Sequence, residues 1–160
     1  MMVFAVIRIR SPRNKSKKME NTLNSLRLNK VNHCTILPQD DKHIGMLKNI
    51  KDIITWGEIE NDTLVSLLKN NSSMNEEITD EYVSENTEYD NIEEFTENVI
   101  NGDAEITDIP DIANLFRLHP PRGGFRSVKK PYGTGGSLGY RGKKINNLLG
   151  KMFNNKEMKE

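Results

Sequence analysis

Only one cysteine, Cys34, occurs in 160 residues, so no internal disulfide can form and a reducing compartment is the natural setting. One thiol cannot build a structural zinc site, and His33, His43 and His119 show no metal-ligand spacing. Long hydrophobic runs are missing as well. The apolar start Met1–Ile7 is cut short by Arg8 and Arg10, too early to cross a bilayer, and no small-residue cleavage site follows. A soluble, cytoplasmic protein is expected. Hydrophobic residues make up 35% and charged residues 29%, which predicts a modest core with a polar remainder in one or two small domains.

Net charge is absent too, at zero over the whole chain. That balance hides a strong segregation. Residues 1–56 hold 11 Lys/Arg against 4 Asp/Glu, a net of +7; residues 57–112 hold 1 against 17, or −16; residues 113–160 hold 11 against 2, or +9. Two basic ends flank an acidic middle, so each segment needs its own partner.

The spacing of apolar residues predicts a β-α-β-α-β order at the start. Val3–Arg10 reads as a strand; Ser16 caps a helix to Leu28 with Met19, Leu23 and Leu26 on one face; His33–Leu37 is a second strand closed by Pro38. A helix from Ile44 to about Lys51 and a strand at Ile53–Trp56 follow, then a short helix carrying Leu64, Leu67 and Leu68, capped by Glu60 or Asn61. This order predicts a small sheet with helices on one face. Trp56 reads as a core residue in preference to a base-stacking platform, since apolar residues precede it.

Three regions result: a βαβαβ body at 1–70, an acidic helical insert at 71–112, and a basic Gly/Arg-rich segment with a C-terminal amphipathic helix at 113–160. In the insert, Asp90-x-x-Glu93 reads as a capping box for a helix with Ile92, Phe95 and Val99 aligned and Gly102 at its end. Its carboxylates lack the spaced Asp/Asn-Gly loop of a calcium site. Beyond it, Leu115–His119 reads as extended, and a last helix over about Lys143–Asn154 puts Ile145, Leu148, Leu149, Met152 and Phe153 on one stripe.

Catalytic constellations are thin. His33 and Cys34 are adjacent, so on a strand they point to opposite faces and cannot act as a pair. Carboxylates abound but lack an apolar pocket to raise one pKa. Gly133-x-Gly135-Gly136 suggests a phosphate-cradling loop, yet a Walker loop ending at Gly142-Lys143 needs glycine at 137 and Ser/Thr at 144, where Ser and Lys stand. A dinucleotide fingerprint needs a strand directly before the glycines, and Lys129-Lys130-Pro131-Tyr132 is a poor one. No enzyme activity, cofactor or metal is expected, although a nucleotide-phosphate-binding enzyme using Gly133–Gly142 stays open as a rival.

The richest stretch runs from Arg117 to Lys144. Arg117, Arg122, Arg126, Lys129, Lys130, Arg141, Lys143 and Lys144 offer phosphate contacts, joined by His119. Phe125, Tyr132 and Tyr140 offer ring faces to exposed bases, and Gly123 and Gly124 let a backbone approach a sugar–phosphate chain. A second cationic surface comprises Arg8, Arg10, Arg13, Lys15, Lys17 and Lys18. Composition therefore favours RNA as the partner.

Several blocks together carry a family pattern: Arg8-Ile-Arg-Ser-Pro12, Leu26-Arg-Leu-Asn-Lys-Val-Asn-His-Cys34, Ile44-Gly-Met-Leu47 and Thr55-Trp-Gly-Glu-Ile59, then Phe116-Arg-Leu-His-Pro-Pro-Arg-Gly-Gly-Phe125 and Gly135-Gly-Ser-Leu-Gly-Tyr-Arg-Gly142. In this order the sequence resembles the L-thirty family of large-subunit ribosomal proteins, and most closely its archaeal form. The resemblance implies an α+β fold, a small ferredoxin-like βαβαβ core with an antiparallel sheet. It implies a structural constituent of the large ribosomal subunit that binds large-subunit rRNA, with the 5S rRNA region as a further expected contact. Neighbouring ribosomal proteins, including a basic one for the acidic insert, are the expected protein partners, with a single copy per ribosome and no homo-oligomer. Bacterial relatives resemble roughly the first third alone, so the insert and tail mark the archaeal and eukaryotic branch. Eukaryotic relatives carry a long basic N-terminal extension, and a start at the first strand favours the archaeal type. An extraribosomal RNA-binding regulator would have the same basic loops and stays open beside it.

Overall fold

A computed structural model describes residues 3–10, 16–71, 78–109, 114–125 and 127–153, with the backbone alone for 70, 71 and 128. Strand β1 (Val3–Arg8) is the centre, paired antiparallel with β2 (His33–Pro38) on one side and β3 (Ile54–Glu58) on the other. All six β1 residues are buried. Both of its faces are covered, which is why Val-Phe-Ala-Val-Ile reads as a continuous apolar run instead of an alternating one.

The two faces carry separate cores. Phe4 and Val6 pack with Leu23, Leu26, Leu47, Ile50, Ile54 and Trp56, under helices α1 (Lys17–Ser25) and α2 (Asp41–Asn49). Val3, Ala5, Ile7, Cys34 and Ile36 pack on the opposite side against α3 (Asn61–Asn71), α4 (Asp80–Asn86), α5 (Ile92–Asn101) and α6 (Ile145–Met152). The expectation of helices on one face therefore holds for α1 and α2 alone. The acidic and C-terminal segments supply the second layer, and a two-faced apolar β1 demanded one. Trp56 is buried in the core, as its apolar neighbours suggested.

Caps fix the helix starts. Ser16 Oγ accepts from Met19 N at 3.1 Å, as expected from its position. Asp40 Oδ1 does the same for His43 N at 2.8 Å and also contacts His43 Nδ1 at 2.7 Å, which holds the Asp40 carboxyl below its usual range. In the insert the register differs by one residue from the sequence expectation. Asn91, not Asp90, caps α5 through Glu94 N at 2.8 Å, and Glu94, not Glu93, reaches back to Asp90 N at 3.1 Å. The apolar stripe sets this choice, because Ile92, Phe95 and Val99 must all face the core. Gly102 closes the helix at φ 90°, as the sequence indicated.

Sheet edges come from the last third of the chain. The six-stranded order is β4-β2-β1-β3-β6-β5, with β4 (Phe116–Arg117) antiparallel to β2 and β6 (Gly136–Tyr140) parallel to β3. Strand β5 (Ser127–Pro131) lies parallel to β6 with an interrupted register. The body is antiparallel as expected, but its C-terminal edge makes the whole sheet mixed. Lys129-Lys130-Pro131, read above as a poor strand, belongs to β5, where an edge tolerates proline and exposed lysines. Helix α6 begins at Ile145, after a 3-10 turn over Gly142–Lys144.

Candidate nucleic-acid interface

The C-terminal segment is fixed to β3 by close backbone approach. A Cβ on Gly57 would lie 1.9 Å from the Gly142 carbonyl oxygen, so only glycine lets this segment seat. Arg141 N then donates to Trp56 O at 2.9 Å. The Arg141 side chain turns inward: Nε donates to Thr55 Oγ1 at 2.8 Å, Nη2 to Ser137 O at 2.7 Å, and the guanidinium carbon lies 4.8 Å from the Tyr132 ring centroid. Arg141, expected as an RNA contact, is thus first a clamp between β3, β6 and the turn after β5.

Gly136 repeats the close-approach theme, since a Cβ there would come to 1.8 Å of Lys130 O. This glycine serves packing within the protein. Gly123 and Gly124, at φ 83° and 76°, form an exposed turn with open space where a Cβ would stand. They remain available for a close-lying backbone partner.

Lys129, Lys130, Lys143 and Lys144 are exposed along the β5 edge and the turn into α6. Tyr140 is 52% exposed, its ring near Phe4 and Trp56, and its hydroxyl donates to Glu58 Oε1. That hydrogen bond, with partial burial and the negative charge, pushes the Tyr140 pKa up to about 12. Phe125 is half-buried against the core, so less of its ring faces outward than expected. Arg122 is exposed, with Nη2 donating to Gly150 O at 3.1 Å, and His119 is exposed.

At the opposite sheet edge Arg117 is exposed on β4, across from His33. Burial and the positive charges of Arg117, Lys30 and Arg8 hold the His33 pKa below its ordinary value, against a raising hydrogen bond to the Arg27 backbone. The field there is cationic. Lys17 and Lys18 are exposed on the first turn of α1, where the helix dipole disfavours cations and an external anion would compensate. Arg10 is half-buried.

Arg8 corrects the sequence expectation. It is only 2% exposed, with Nε and Nη1 donating to Arg10 O and Leu28 O at 3.2 and 2.9 Å. Sitting on the central strand, it ties down the turn after α1 and presents no cation outward, and burial lowers its pKa. Arg13, Lys15 and Arg126 lie outside the described residues.

Phe125, Tyr132, Arg141 and Lys144 line one cleft of about 300 Å³ between the 124–125 turn, β6 and α6, together with Asn147 and Lys151. The last two were missed in the sequence. Lys144, Asn147 and Lys151 recur at three and four residues, so helical periodicity of polar residues was the available signal. Lys30 and Arg27 were also passed over as site residues, being known only as part of a family block.

Residues 4–54, which are β1 through the start of β3, match the family described as Ribosomal protein L30p/L7e. The chain is 47% identical over 149 residues to the large ribosomal subunit protein uL30 of Methanopyrus kandleri, covering 91% of this chain and 100% of that one. The uL30 proteins of Archaeoglobus fulgidus and Methanococcus maripaludis are each 44% identical, over 94% and 95% of this chain and 99% and 100% of theirs. The chain belongs to the L30 family. Its family-model match stops at the start of β3, while similarity to the archaeal L30 proteins extends across the acidic insert and the basic C-terminal segment.

Among the described residues no three His, Cys, Asp or Glu side chains are grouped to hold a metal ion, and no helix is long and apolar enough to cross a membrane. Cys34 is buried, which pushes its thiol pKa up.

Proposed function

We propose that this L30-family protein is a structural constituent of the large ribosomal subunit, in the cytoplasm, that binds folded large-subunit rRNA and catalyses no reaction. The observation that carries this reading is the near full-length similarity to archaeal proteins named for that subunit. Exposed cations support it: Lys17 and Lys18 on α1, Arg117 on β4, Lys129 and Lys130 on β5, Lys143 and Lys144 before α6. They surround a rigid sheet, which holds phosphate contacts at fixed spacing. Arg10, His119, Arg122, Gly123, Gly124 and Tyr140 complete the proposed RNA-facing set, with contact near the 5S rRNA as its extension.

The acidic insert faces away from phosphate in this reading. Helix α3 packs against both α5 and α6. Residues 57–112, at −16, cannot lie along phosphates within a Debye length of about 8 Å without strong repulsion. Exposed Glu81, Glu85, Glu93 and Glu97 fit a basic neighbouring protein. The nucleotide-enzyme rival loses support from the chain path. Strand β5 leads through a 3-10 turn at Tyr132–Thr134 into another strand, so the glycines of Gly133–Gly136 do not open a phosphate-binding helix.

Sucrose-gradient fractionation of cell extract with antibody detection tests the proposal. Co-sedimentation with the large subunit at low and moderate salt is the expected result. Recovery in the soluble fraction alone, with saturable ATP or GTP binding by the purified protein, would reject it.

A further inference from the structure

The cleft between the 124–125 turn, β6 and α6 has a chemistry that goes beyond a cationic surface. Three cations line it, Arg141, Lys144 and Lys151, and no carboxylate does, in a chain whose acids equal its bases in number. Two aromatic rings, Phe125 and Tyr132, share the same walls, and the exposed amide of Asn147 adds both a donor and an acceptor. A merely solvated basic face has no reason to gather rings and an amide around its charges.

The walls are built in advance. Tyr132 is held from one side by the Arg141 guanidinium, itself fixed by Thr55 Oγ1 and Ser137 O. Phe125 is anchored against the core, and the close β5–β6 approach at Gly136, another lining residue, fixes that wall of the cleft. At about 300 Å³ the cleft stands at the small end of ligand sites, room for one nucleotide and not for a paired helix.

We propose that this cleft receives a single unstacked nucleotide of the bound RNA. Its base lies against the exposed portions of Phe125 and Tyr132, Asn147 meets its polar edge, and Lys144 and Lys151 hold the flanking phosphates. Bases inside a duplex have no free face to offer, so the cleft selects a nucleotide turned out of its stack. Arg141 contributes fixed positive charge and the position of the Tyr132 ring. This proposal rests on the RNA-binding reading above and adds the ligand unit and its seat.

Ultraviolet cross-linking of the protein in purified large subunits, followed by digestion and mass spectrometry, locates the contact. A nucleotide adduct on Phe125 or Tyr132 is expected. The double variant Asn147→Ala/Lys151→Gln should lose that adduct and bind rRNA about tenfold more weakly, while Lys129→Gln/Lys130→Gln weakens binding and keeps the adduct. Wild-type affinity and an unchanged adduct in the Asn147/Lys151 variant would overturn the cleft assignment, as would adducts confined to other peptides. Stoichiometric ATP or GMP binding to the free protein, lost in the same variant, would overturn it in favour of a free nucleotide. If the wild-type protein binds no rRNA at all, the broader functional reading falls with it.

Discussion

His33 reports on the cationic edge of the sheet. Its pKa lies below the ordinary 6.5 because burial and the charges of Arg117, Lys30 and Arg8 all disfavour a further proton. The unfolded chain takes up that proton more readily, so this residue's contribution to stability is full above pH 6.5. It is lost as pH falls through the lowered folded value. In the free protein, an NMR titration with His33→Gln for assignment should place the His33 midpoint below 6.5. Bound rRNA should move it upward, since phosphates beside Arg117 and Lys30 offset the repulsion. A midpoint at or above 6.5 without RNA would contradict the placement of these cations. Residue-level reading of the sequence did least well at the arginines. Arg8 and Arg141 look like their surface counterparts in a linear chain, yet both turn inward, Arg8 to the distant Leu28 carbonyl and Arg141 to the distant Thr55 hydroxyl as well as the nearby Ser137 carbonyl. Sequence spacing cannot distinguish a phosphate-bound guanidinium from a carbonyl-bound one.

Elements were far more legible, because periodicity and caps are local. The strands of the body and helices α1, α2 and α6 fall close to their expected positions. Strand β4 falls within the stretch read as extended, while β5 and β6 were missed: β5 is an edge strand with exposed lysines and a proline, and β6 pairs with β3, far earlier in the sequence. Helix α4 was not anticipated either. It has Thr79 as its cap and buries Val83, and its Asp80 Oδ1 accepts from Ile92 N at 3.0 Å, joining α4 to α5. The cap of α5 offers a test at this scale. Asn91→Ala should destabilise the protein by about 1 kcal/mol, while Asp90→Ala, which leaves its backbone N–H to Glu94, should change little. Urea midpoints measure both. A larger loss for Asp90→Ala would restore the register first read from the sequence.

At the scale of the molecule, charge segregation was visible at once and its spatial meaning was not. The sequence offered two basic ends and an acidic centre; folding interleaves them, because all three segments contribute to the core on one face of the sheet. Deleting residues 122–142 would therefore remove β5 and β6 along with the cations, and charge substitution is the cleaner probe. With Lys129, Lys130, Lys143 and Lys144 changed to Gln, the slope of log binding constant against log salt should flatten by about 2–4. Circular dichroism should be unchanged, as all four side chains are exposed. An unaltered slope would show that the RNA face lies elsewhere.

The sheet order also has a consequence for how the protein is made. Strands β1, β2 and β3 are finished by residue 58, but the strands that cover their outer margins, β4 and β6, begin only at 116 and 136. Synthesis from the N-terminus thus delivers a three-stranded body with raw flanks on both sides, the β2 flank open until residue 117 has emerged and the β3 flank until residue 140 has. At typical elongation rates of roughly 5–20 residues per second, that interval lasts several seconds. During it the nascent chain is most prone to pair with another strand, and any premature stop before residue 116 makes that exposure permanent.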